Sequence, residues 1–204
     1  PTIISTGLST LKEISSAIKN FEEVFPGARK KGFLMLMHCV AEYPPTKEKL
    51  NLNNIETLKS KFKLPVGYSD HSLGIKACEI AVSKGVKLIE KHFTYRRENQ
   101  KFHDHKISSD PKELTKLIIS IKETHKIMGS KIRKIVENKD MIAHLRRSLC
   151  AAKNIKEGSR IKKNDISYLR PQWGYRPGEE KKIIGLKAKK NIRKGSVFFK
   201  KDLA

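Results

Sequence analysis

The sequence predicts an α/β fold followed by a small all-β module. Through about residue 127, apolar strand-like runs alternate with amphipathic helix-like segments four times, a pattern typical of a parallel sheet covered by helices. Farther along, the motif that begins at Lys153 recurs 37 residues later at Lys190. We therefore predict an α/β domain over residues 1–127, a basic connector over 128–144 and a compact β module over 145–204.

The first two strand–helix units carry ordinary strand and cap signals. Residues 1–5 are a short apolar run, and Thr10 with Glu13 makes a capping box before a segment whose apolar residues keep helical spacing. Residues 32–38 are almost continuously apolar, as in a parallel strand that is covered on both faces. A short helix over about residues 54–62 leads into the third unit.

The third unit contains the residues with the clearest chemical signal. The segment Val66–Thr94 holds two apolar runs that end in polar clusters with His71 and His92, separated by a helical pattern that closes at Gly85. Because neighbouring parallel strands end at one edge of a sheet, both histidines should face the same mouth. They could form half of a metal site, or simply be hydrogen-bonded histidines at strand ends. Strand alternation also places Glu90 on the face of His92, where a carboxylate could orient the imidazole or a metal-bound water.

The fourth unit and the tail complete the predicted elements. Asp110, Pro111 and Glu113 predict a helix start, with a cap, a proline at the first helical position and a carboxylate three residues after the cap. In the tail, residues 153–159 and 190–196 each predict a short strand, a glycine turn and another short strand. The tail should therefore be a β module with internal pseudo-symmetry.

A loop between the two copies of the repeat predicts a contact surface. Residues 170–178 place two arginines and two aromatic side chains among prolines and glycines, which stiffen and shape the backbone. Trp173, in the middle of this loop, could fill the core of the small module or face a ligand. The sequence leaves both alternatives open.

The composition favours a soluble, cytoplasmic protein. No apolar run approaches the roughly 20 residues of a membrane span, and Cys39, Cys78 and Cys150 lie far apart in apolar surroundings, as expected for reduced core residues. The formal charge is +23, and residues 145–204 contain 18 Lys and Arg against 5 Asp and Glu. Because these charges are scattered without interleaved aromatics or a nucleic-acid motif, we expect neither nucleic acid nor a membrane as a partner.

Short motifs along the whole chain resemble those of the sialic acid (N-acetylneuraminate) synthase family. In chain order they are Ser5-Thr6-Gly7, His38-Cys39-Val40, Glu42-Tyr43-Pro44, Gly67-Tyr-Ser-Asp-His71, Glu90-Lys-His-Phe-Thr94 and Asp104-His105. The tail resembles the antifreeze-like (SAF) module of that family. The resemblance implies that residues 1–127 are the carboxyl-terminal half of a (β/α)8 TIM barrel, strands five to eight, followed by a SAF, or β-clip, domain. It also implies four further strand–helix units ahead of residue 1.

The resemblance further implies a reaction, a metal and a set of site residues. Members of the family condense phosphoenolpyruvate with N-acetylmannosamine, an N-acylated amino sugar, to give N-acetylneuraminate and phosphate. By resemblance His71 and His92 hold a divalent metal, Mn²⁺ or Mg²⁺, which polarises the sugar aldehyde. The implied substrate contacts are Ser5 and Ser69 for phosphoenolpyruvate, Tyr43 and Asp104 for the sugar, and Arg170, which reaches the N-acyl group from the partner subunit of a domain-swapped homodimer.

Two alternatives stay open from the sequence. The legionaminic and pseudaminic acid synthases share these motifs and differ in the sugar that they accept. From another class, an incomplete barrel could carry the small module as a non-catalytic protein that binds carbohydrate or supports assembly. For either synthase, we expect the 204-residue chain to be inactive without the missing half-barrel.

Overall fold

A computed structural model describes residues 1–204, which separate into two compact units, Pro1–Lys131 and Ile132–Ala204. The first unit is α/β and the second contains a small antiparallel sheet. No helix in the chain combines the length and the apolar character needed to cross a membrane.

The first unit is a four-stranded parallel sheet with helices between consecutive strands. The strands pair in sequence order, so each strand lies beside the one that precedes it in the chain. The predicted parallel α/β arrangement is therefore confirmed. Its elements in chain order are β1 (Thr2–Ser5), α1 (Leu11–Val24), β2 (Leu34–Cys39), α2 (Asn54–Phe62), β3 (Val66–Asp70), α3 (Lys76–Ser83), β4 (Ile89–Lys91) and α4 (Pro111–Met128).

The helix starts follow the predicted cap chemistry. Thr10 and Glu13 form the reciprocal capping box at α1, in which each side chain bonds the backbone N–H of the other residue. At α4, the Asp110 carboxylate accepts from the Glu113 backbone N–H at 2.8 Å, and Pro111 occupies the first helical position. Both caps satisfy amide groups that would otherwise lack a partner at the helix start.

The hydrophobic core of the first unit lies between the sheet and its helices. Close packing reaches the backbone at Gly67 in β3, where a Cβ would lie 2.9 Å from the Leu88 carbonyl oxygen and against the Met37 side chain. The close contact of Gly67 with Leu88 and Met37 explains why a glycine occupies this position in a fully buried strand. The core includes Ile14, Ile18, Leu34, Leu36, Ile55, Leu58, Val66, Tyr68, Cys78 and Leu117.

The fourth strand is shorter than the sequence predicts. The apolar run covers residues 87–94, but β4 comprises only Ile89–Lys91. Beyond it, His92 accepts a backbone bond from Ser109 and Thr94 donates one back to Ser109. These two bonds hold the chain after β4 to the segment that leads into α4. β4 is the last strand of the sheet, and no further strand of this chain pairs with its outer edge.

The second unit corrects the predicted layout of the tail. Its elements are α5 (Lys139–Leu145), β5 (Ser148–Ala151) and β6 (Ile166–Leu169), with β5 antiparallel to β6. The helix α5 begins inside the segment predicted as a connector, residues 128–144, and ends one residue beyond it. The two copies of the repeat do not form separate hairpins; instead Ile155 and Ile192 exchange both backbone hydrogen bonds across the repeats. Pairing between the two copies satisfies the backbone N–H and C=O groups of both residues at once.

The pseudo-symmetry extends to the side chains. Asn154 accepts from the Lys194 amide at 2.8 Å, and Asn191 accepts from the Glu157 amide at 2.9 Å. Each copy also contains a lysine–aspartate ion pair, Lys153–Asp165 at 2.8 Å and Lys190–Asp202 at 2.7 Å. The repeat seen in the sequence is therefore a reciprocal bonding pattern around a common core.

Candidate active site

His71 and His92 lie side by side where β3 and β4 end. The two strands are adjacent and parallel, with Asp70 opposite Lys91 in the register, so the residues that follow them meet at one edge of the sheet. The centroids of the two imidazole rings are 5.3 Å apart, and the rings are inclined by 72°. The structure thus brings together the two histidines that the sequence singled out.

A backbone contact leaves one nitrogen of His71 available. Nδ1 lies 2.7 Å from the Val40 carbonyl oxygen, which can only accept a hydrogen bond. In the neutral ring Nδ1 therefore carries the proton, and Nε2 keeps a free lone pair. The hydrogen-bond contact of Nε2 is with Ser69 Oγ, at the long distance of 3.5 Å. This is the tautomer that a metal-binding histidine requires.

A carboxylate and an aromatic ring lie beside His92. Its Nδ1 lies 3.6 Å from Asp104 Oδ2, and both side chains are about one-third exposed. The Tyr43 ring meets His92 edge-on, with centroids 5.7 Å apart, and stacks on His71 at 4.2 Å. Tyr43, His71 and His92 therefore form one cluster of three rings with Asp104 at its side.

Ser69 and Glu90 extend the same site along the strands. They are opposite each other in the β3–β4 register, and the Ser69 hydroxyl donates to Glu90 Oε1 at 2.6 Å. Because alternate residues of a strand share a face, Ser69 lies on the face of His71 and Glu90 on that of His92. A hydroxyl, a carboxylate and two imidazoles thus line one face at the strand ends.

The opposite face holds a buried ion pair that the sequence did not predict. Lys91 donates to Asp70 Oδ2 at 2.8 Å and to the Ser72 carbonyl oxygen at 2.6 Å. Asp70 Oδ1 accepts from the Tyr68 hydroxyl and from the Ser72 amide and hydroxyl, and Cys78 Sγ lies 3.2 Å from Oδ2. Asp70 therefore fixes the turn after β3 rather than capping α3, which begins after Ile75 without a side-chain cap.

The charges of this network follow from its surroundings. Burial acts to raise the pKa of Asp70, but the Lys91 ammonium and the Ser72 donors outweigh it, so the pKa lies below its usual value. Burial, with the Asp70 charge, raises the pKa of both Tyr68 and Cys78. Tyr68 and Cys78 thus remain protonated and can donate to Asp70.

The sequence signal for Lys91 was only its place between Glu90 and His92.

Two of the predicted site residues belong to other elements of the chain. Ser5 ends β1, which is separated from β3 by β2 in the sheet. Arg170 belongs to the second unit, where it is exposed and precedes the cis peptide bond to Pro171. His103 and His105 each contact another residue of the first unit: His103 Nε2 lies 3.0 Å from the Tyr43 carbonyl oxygen, and His105 Nδ1 lies 2.7 Å from the Thr94 hydroxyl.

The donor set at the strand ends fits a metal only in part. The chain contains no group of three or more His, Cys, Asp or Glu side chains arranged to hold a metal ion. Two adjacent imidazoles, one of them with a free Nε2, are nevertheless nitrogen donors of the kind that divalent ions accept. The remaining positions would fall to water and substrate oxygens.

The fold and the polar groups at its strand ends define the class of this protein. It is an α/β protein with its candidate site at the ends of parallel strands, followed by a small β module. Residues 1–133 match the NeuB family, and residues 146–204 match the SAF domain. The chain belongs to the NeuB family. This confirms the resemblance drawn from the sequence motifs.

Similar proteins carry synthase names. The chain is 38% identical to N,N'-diacetyllegionaminic acid synthase of Legionella pneumophila over 96% of the chain and 55% of that protein. It is 32% identical to pseudaminic acid synthase of Campylobacter jejuni over 99% of the chain and 57% of that protein. The crystal structure of sialic acid synthetase from Leptospira borgpetersenii, in complex with citrate, matches with 40% identity and a TM-score of 0.58 over 68% of the chain and 45% of that protein. The chain spans little more than half the length of the two synthases and less than half of the Leptospira protein.

Proposed function

We propose that the chain is the carboxyl-terminal half-barrel and SAF domain of a phosphoenolpyruvate-dependent sugar-acid synthase. The observation that carries this proposal is the pair His71 and His92 at adjacent strand ends, 5.3 Å apart, with Tyr43 and Asp104 beside them, in a chain of the NeuB family. The first candidate sugar is N-acetylmannosamine, which would give N-acetylneuraminate.

The proposed reaction forms one carbon–carbon bond and, at carbon 2 of phosphoenolpyruvate, replaces the carbon–oxygen bond to phosphate by one to an oxygen from water. Carbon 3 of phosphoenolpyruvate attacks the aldehyde carbon of the open-chain sugar, whose oxygen takes up a proton and becomes a hydroxyl. Water adds at carbon 2 of phosphoenolpyruvate, and phosphate leaves with the bridging oxygen. The products are the 2-keto sugar acid and inorganic phosphate, with no change in the overall oxidation state.

His71 and His92 would hold a divalent ion, Mn²⁺ or Mg²⁺. When bound, such an ion supplies Lewis-acid polarisation of the sugar aldehyde. The Val40 carbonyl keeps the proton of His71 on Nδ1, and Asp104 orients the ring of His92. The Tyr43 ring stacked on His71 restricts the rotation of that imidazole.

The other site residues would bind and orient the substrates. Ser69 and Glu90, joined at 2.6 Å, present a hydroxyl and a carboxylate beside the histidines, where Glu90 can accept a proton from water or a sugar hydroxyl. Tyr43 and Asp104 offer the sugar a partly exposed ring and a carboxylate. Ser5 at the end of β1 would contact phosphoenolpyruvate. Arg170 would contact the N-acyl group of a sugar bound by the partner subunit of a domain-swapped homodimer.

A diacetylated sugar is the second candidate substrate. The 38% identity to the L. pneumophila enzyme, which is named as an N,N'-diacetyllegionaminic acid synthase, supports it. The two candidates share the chemistry at the aldehyde and differ only in the sugar substituents. A comparison of kcat/KM for the two sugars therefore decides between them without changing the proposed mechanism.

Fusion to a complementary half-barrel tests the proposal. The chain would be joined to the part of the L. pneumophila relative that lies outside the matched region, and phosphate release would be measured with phosphoenolpyruvate and each sugar. We expect sugar-dependent turnover by the fusion, none by the chain alone and none by a His92→Ala fusion. A folded fusion that binds phosphoenolpyruvate but forms no sugar acid with either sugar would contradict the proposal.

A further inference from the structure

The loop between β4 and α4 contacts the candidate site at two points through neighbouring side chains. Asp104 Oδ2 lies 3.6 Å from Nδ1 of His92, which directly follows β4. His103 Nε2 lies 3.0 Å from the Tyr43 carbonyl oxygen, which belongs to the segment after β2 and is 60 residues earlier in the chain. Because β3 lies between β2 and β4 in the sheet, the His103 contact spans the end of the strand that precedes His71.

The His103 ring donates this hydrogen bond, because a carbonyl oxygen can only accept. In the neutral ring the proton therefore lies on Nε2, and in the protonated ring Nε2 carries a proton as well. The contact with Tyr43 is thus available in both charge states of His103. It depends on a donor at the position of Nε2, not on the charge of the ring.

Tyr43 is held at both its backbone and its ring. The bond from His103 holds the carbonyl group, while the ring stacks on His71 with centroids 4.2 Å apart and planes inclined by 26°. The same ring meets His92 edge-on at 5.7 Å. Although 39% of its surface is exposed, Tyr43 is therefore restrained by contacts with the segments that follow β3 and β4.

Asp104 belongs to a turn that moves as one piece with His103. The segment His103–Lys106 is a single 3-10 turn. The Asp104 carbonyl oxygen accepts from the Ser108 amide at 3.0 Å and from the Ser108 hydroxyl at 2.6 Å, which fixes the backbone after the turn. A displacement of His103 would therefore also displace the Asp104 carboxylate beside His92.

From these contacts we propose that His103 is a positioning residue that sets the separation between Tyr43 and Asp104, the two groups proposed to contact the sugar. It acts through its bond to the Tyr43 carbonyl group and does not touch the reacting atoms. Two contacts that are in place before the sugar arrives lower the entropic cost of binding it. The inference rests on the proposed function and adds a residue that affects the sugar but not phosphoenolpyruvate.

Limited proteolysis of the 204-residue chain tests the contact itself and needs no turnover. Lys101 and Lys106 flank His103 and are exposed, so trypsin can cut after either lysine when the loop opens. We expect the His103→Ala variant to be cut there roughly two- to tenfold faster than wild type, the range for the loss of one hydrogen bond. His103→Gln, whose amide can donate from nearly the same position, should be cut at the wild-type rate. Gln100→Ala removes only a contact with Tyr95 inside the loop and should also match wild type.

Steady-state kinetics of the half-barrel fusion test the role of His103 in sugar binding. We expect His103→Ala to raise KM for the sugar roughly two- to tenfold and to leave kcat, KM for phosphoenolpyruvate and the melting temperature unchanged. His103→Gln should restore the wild-type KM for the sugar. A residue with a purely structural role would change both KM values or the melting temperature, so the difference between the two substrates separates positioning from stability.

Three results would overturn the inference. Equal cleavage of wild type and His103→Ala would show that the contact with Tyr43 does not hold the loop. An unchanged KM for the sugar in a variant that is cut faster, or an equal increase in both KM values, would show that His103 does not position the sugar contacts. Failure of the proposed function would look different, because the wild-type fusion would then lack sugar-dependent turnover while the comparison of cleavage rates would still stand.

Discussion

Asp70 and Lys91 form an ion pair of 2.8 Å in which the two side chains are only 0% and 3% exposed. Asp70 immediately precedes His71 and Lys91 immediately precedes His92, so the pair joins the two strand ends that present the histidines. A buried charge that loses its partner keeps its full desolvation cost. The geometry of the candidate site therefore depends on an interaction on the other face of the sheet.

Replacement of Lys91 should strongly destabilise the first unit. Lys91→Met leaves the Asp70 carboxylate buried without its cation, and we expect a loss of about 3–5 kcal/mol in the free energy of unfolding. Lys49 pairs with Glu42 at a similar 2.9 Å but is 58% exposed. Lys49→Met should therefore cost less than about 1 kcal/mol. Urea unfolding of both variants measures the difference.

The double variant Asp70→Leu with Lys91→Met provides the control. Because both charges are removed together, it should be more stable than Lys91→Met alone. If Lys91→Met unfolds at the same urea concentration as Lys49→Met, the buried pair does not hold the strand ends together.

Saturable Mn²⁺ binding should depend on both site histidines. His71 has a free Nε2 and His92 adjoins it, so we expect His71→Ala and His92→Ala each to weaken Mn²⁺ binding at least about tenfold, the loss of one ligand. His125→Ala, on the exposed face of α4, should leave it unchanged. Calorimetric titration of the chain measures all three. Equal affinity of the His71→Ala and His125→Ala variants would exclude His71 as a ligand.

His38 should make the stability of the first unit dependent on pH. It is buried, with Nε2 2.9 Å from the Leu50 carbonyl oxygen, and burial lowers its pKa more than this bond raises it. The unfolded chain, with a histidine pKa of about 6.5, therefore binds the proton first as the pH falls. The contribution of His38 to stability is complete above that value and decreases below it, down to the folded-state pKa.

The comparison with His38→Gln isolates this effect from the six other histidines of the chain. Between about pH 7.5 and pH 5, on either side of the ordinary histidine pKa, wild type should lose more free energy of unfolding than the variant. An equal loss in both proteins would show that His38 is protonated equally in the folded and unfolded chain.

The reciprocal asparagines of the second unit should contribute equally to its stability. Asn154 and Asn191 each accept one backbone hydrogen bond from the other copy of the repeat, so alanine at either position should cost about 0.5–1.5 kcal/mol. Asn164, an exposed residue, provides the matched control, for which we expect less than about 0.5 kcal/mol. A marked difference between Asn154→Ala and Asn191→Ala in thermal unfolding would contradict the pseudo-symmetry.

The sequence by itself determined the order of the strands and helices, the caps of α1 and α4, and the place of His71 and His92. These features depend on residues close together in the chain, such as Thr10 with Glu13, or on the general rule that parallel strands end at one edge of a sheet. Features that follow from such rules can be predicted from the spacing of residues along the chain. The repeat at Lys153 and Lys190 was likewise visible in the sequence.

Only the tertiary structure decided which partners those residues have. The burial of Lys91 against Asp70, the proton of His71 on Nδ1 facing Val40, and the pairing of Ile155 with Ile192 all join residues distant along the chain. A lysine in a short strand is exposed in most proteins, and nothing in its spacing reveals a buried carboxylate. The partner of a buried polar group is set by three-dimensional packing, because many residues could supply the same hydrogen bond and only the fold selects one.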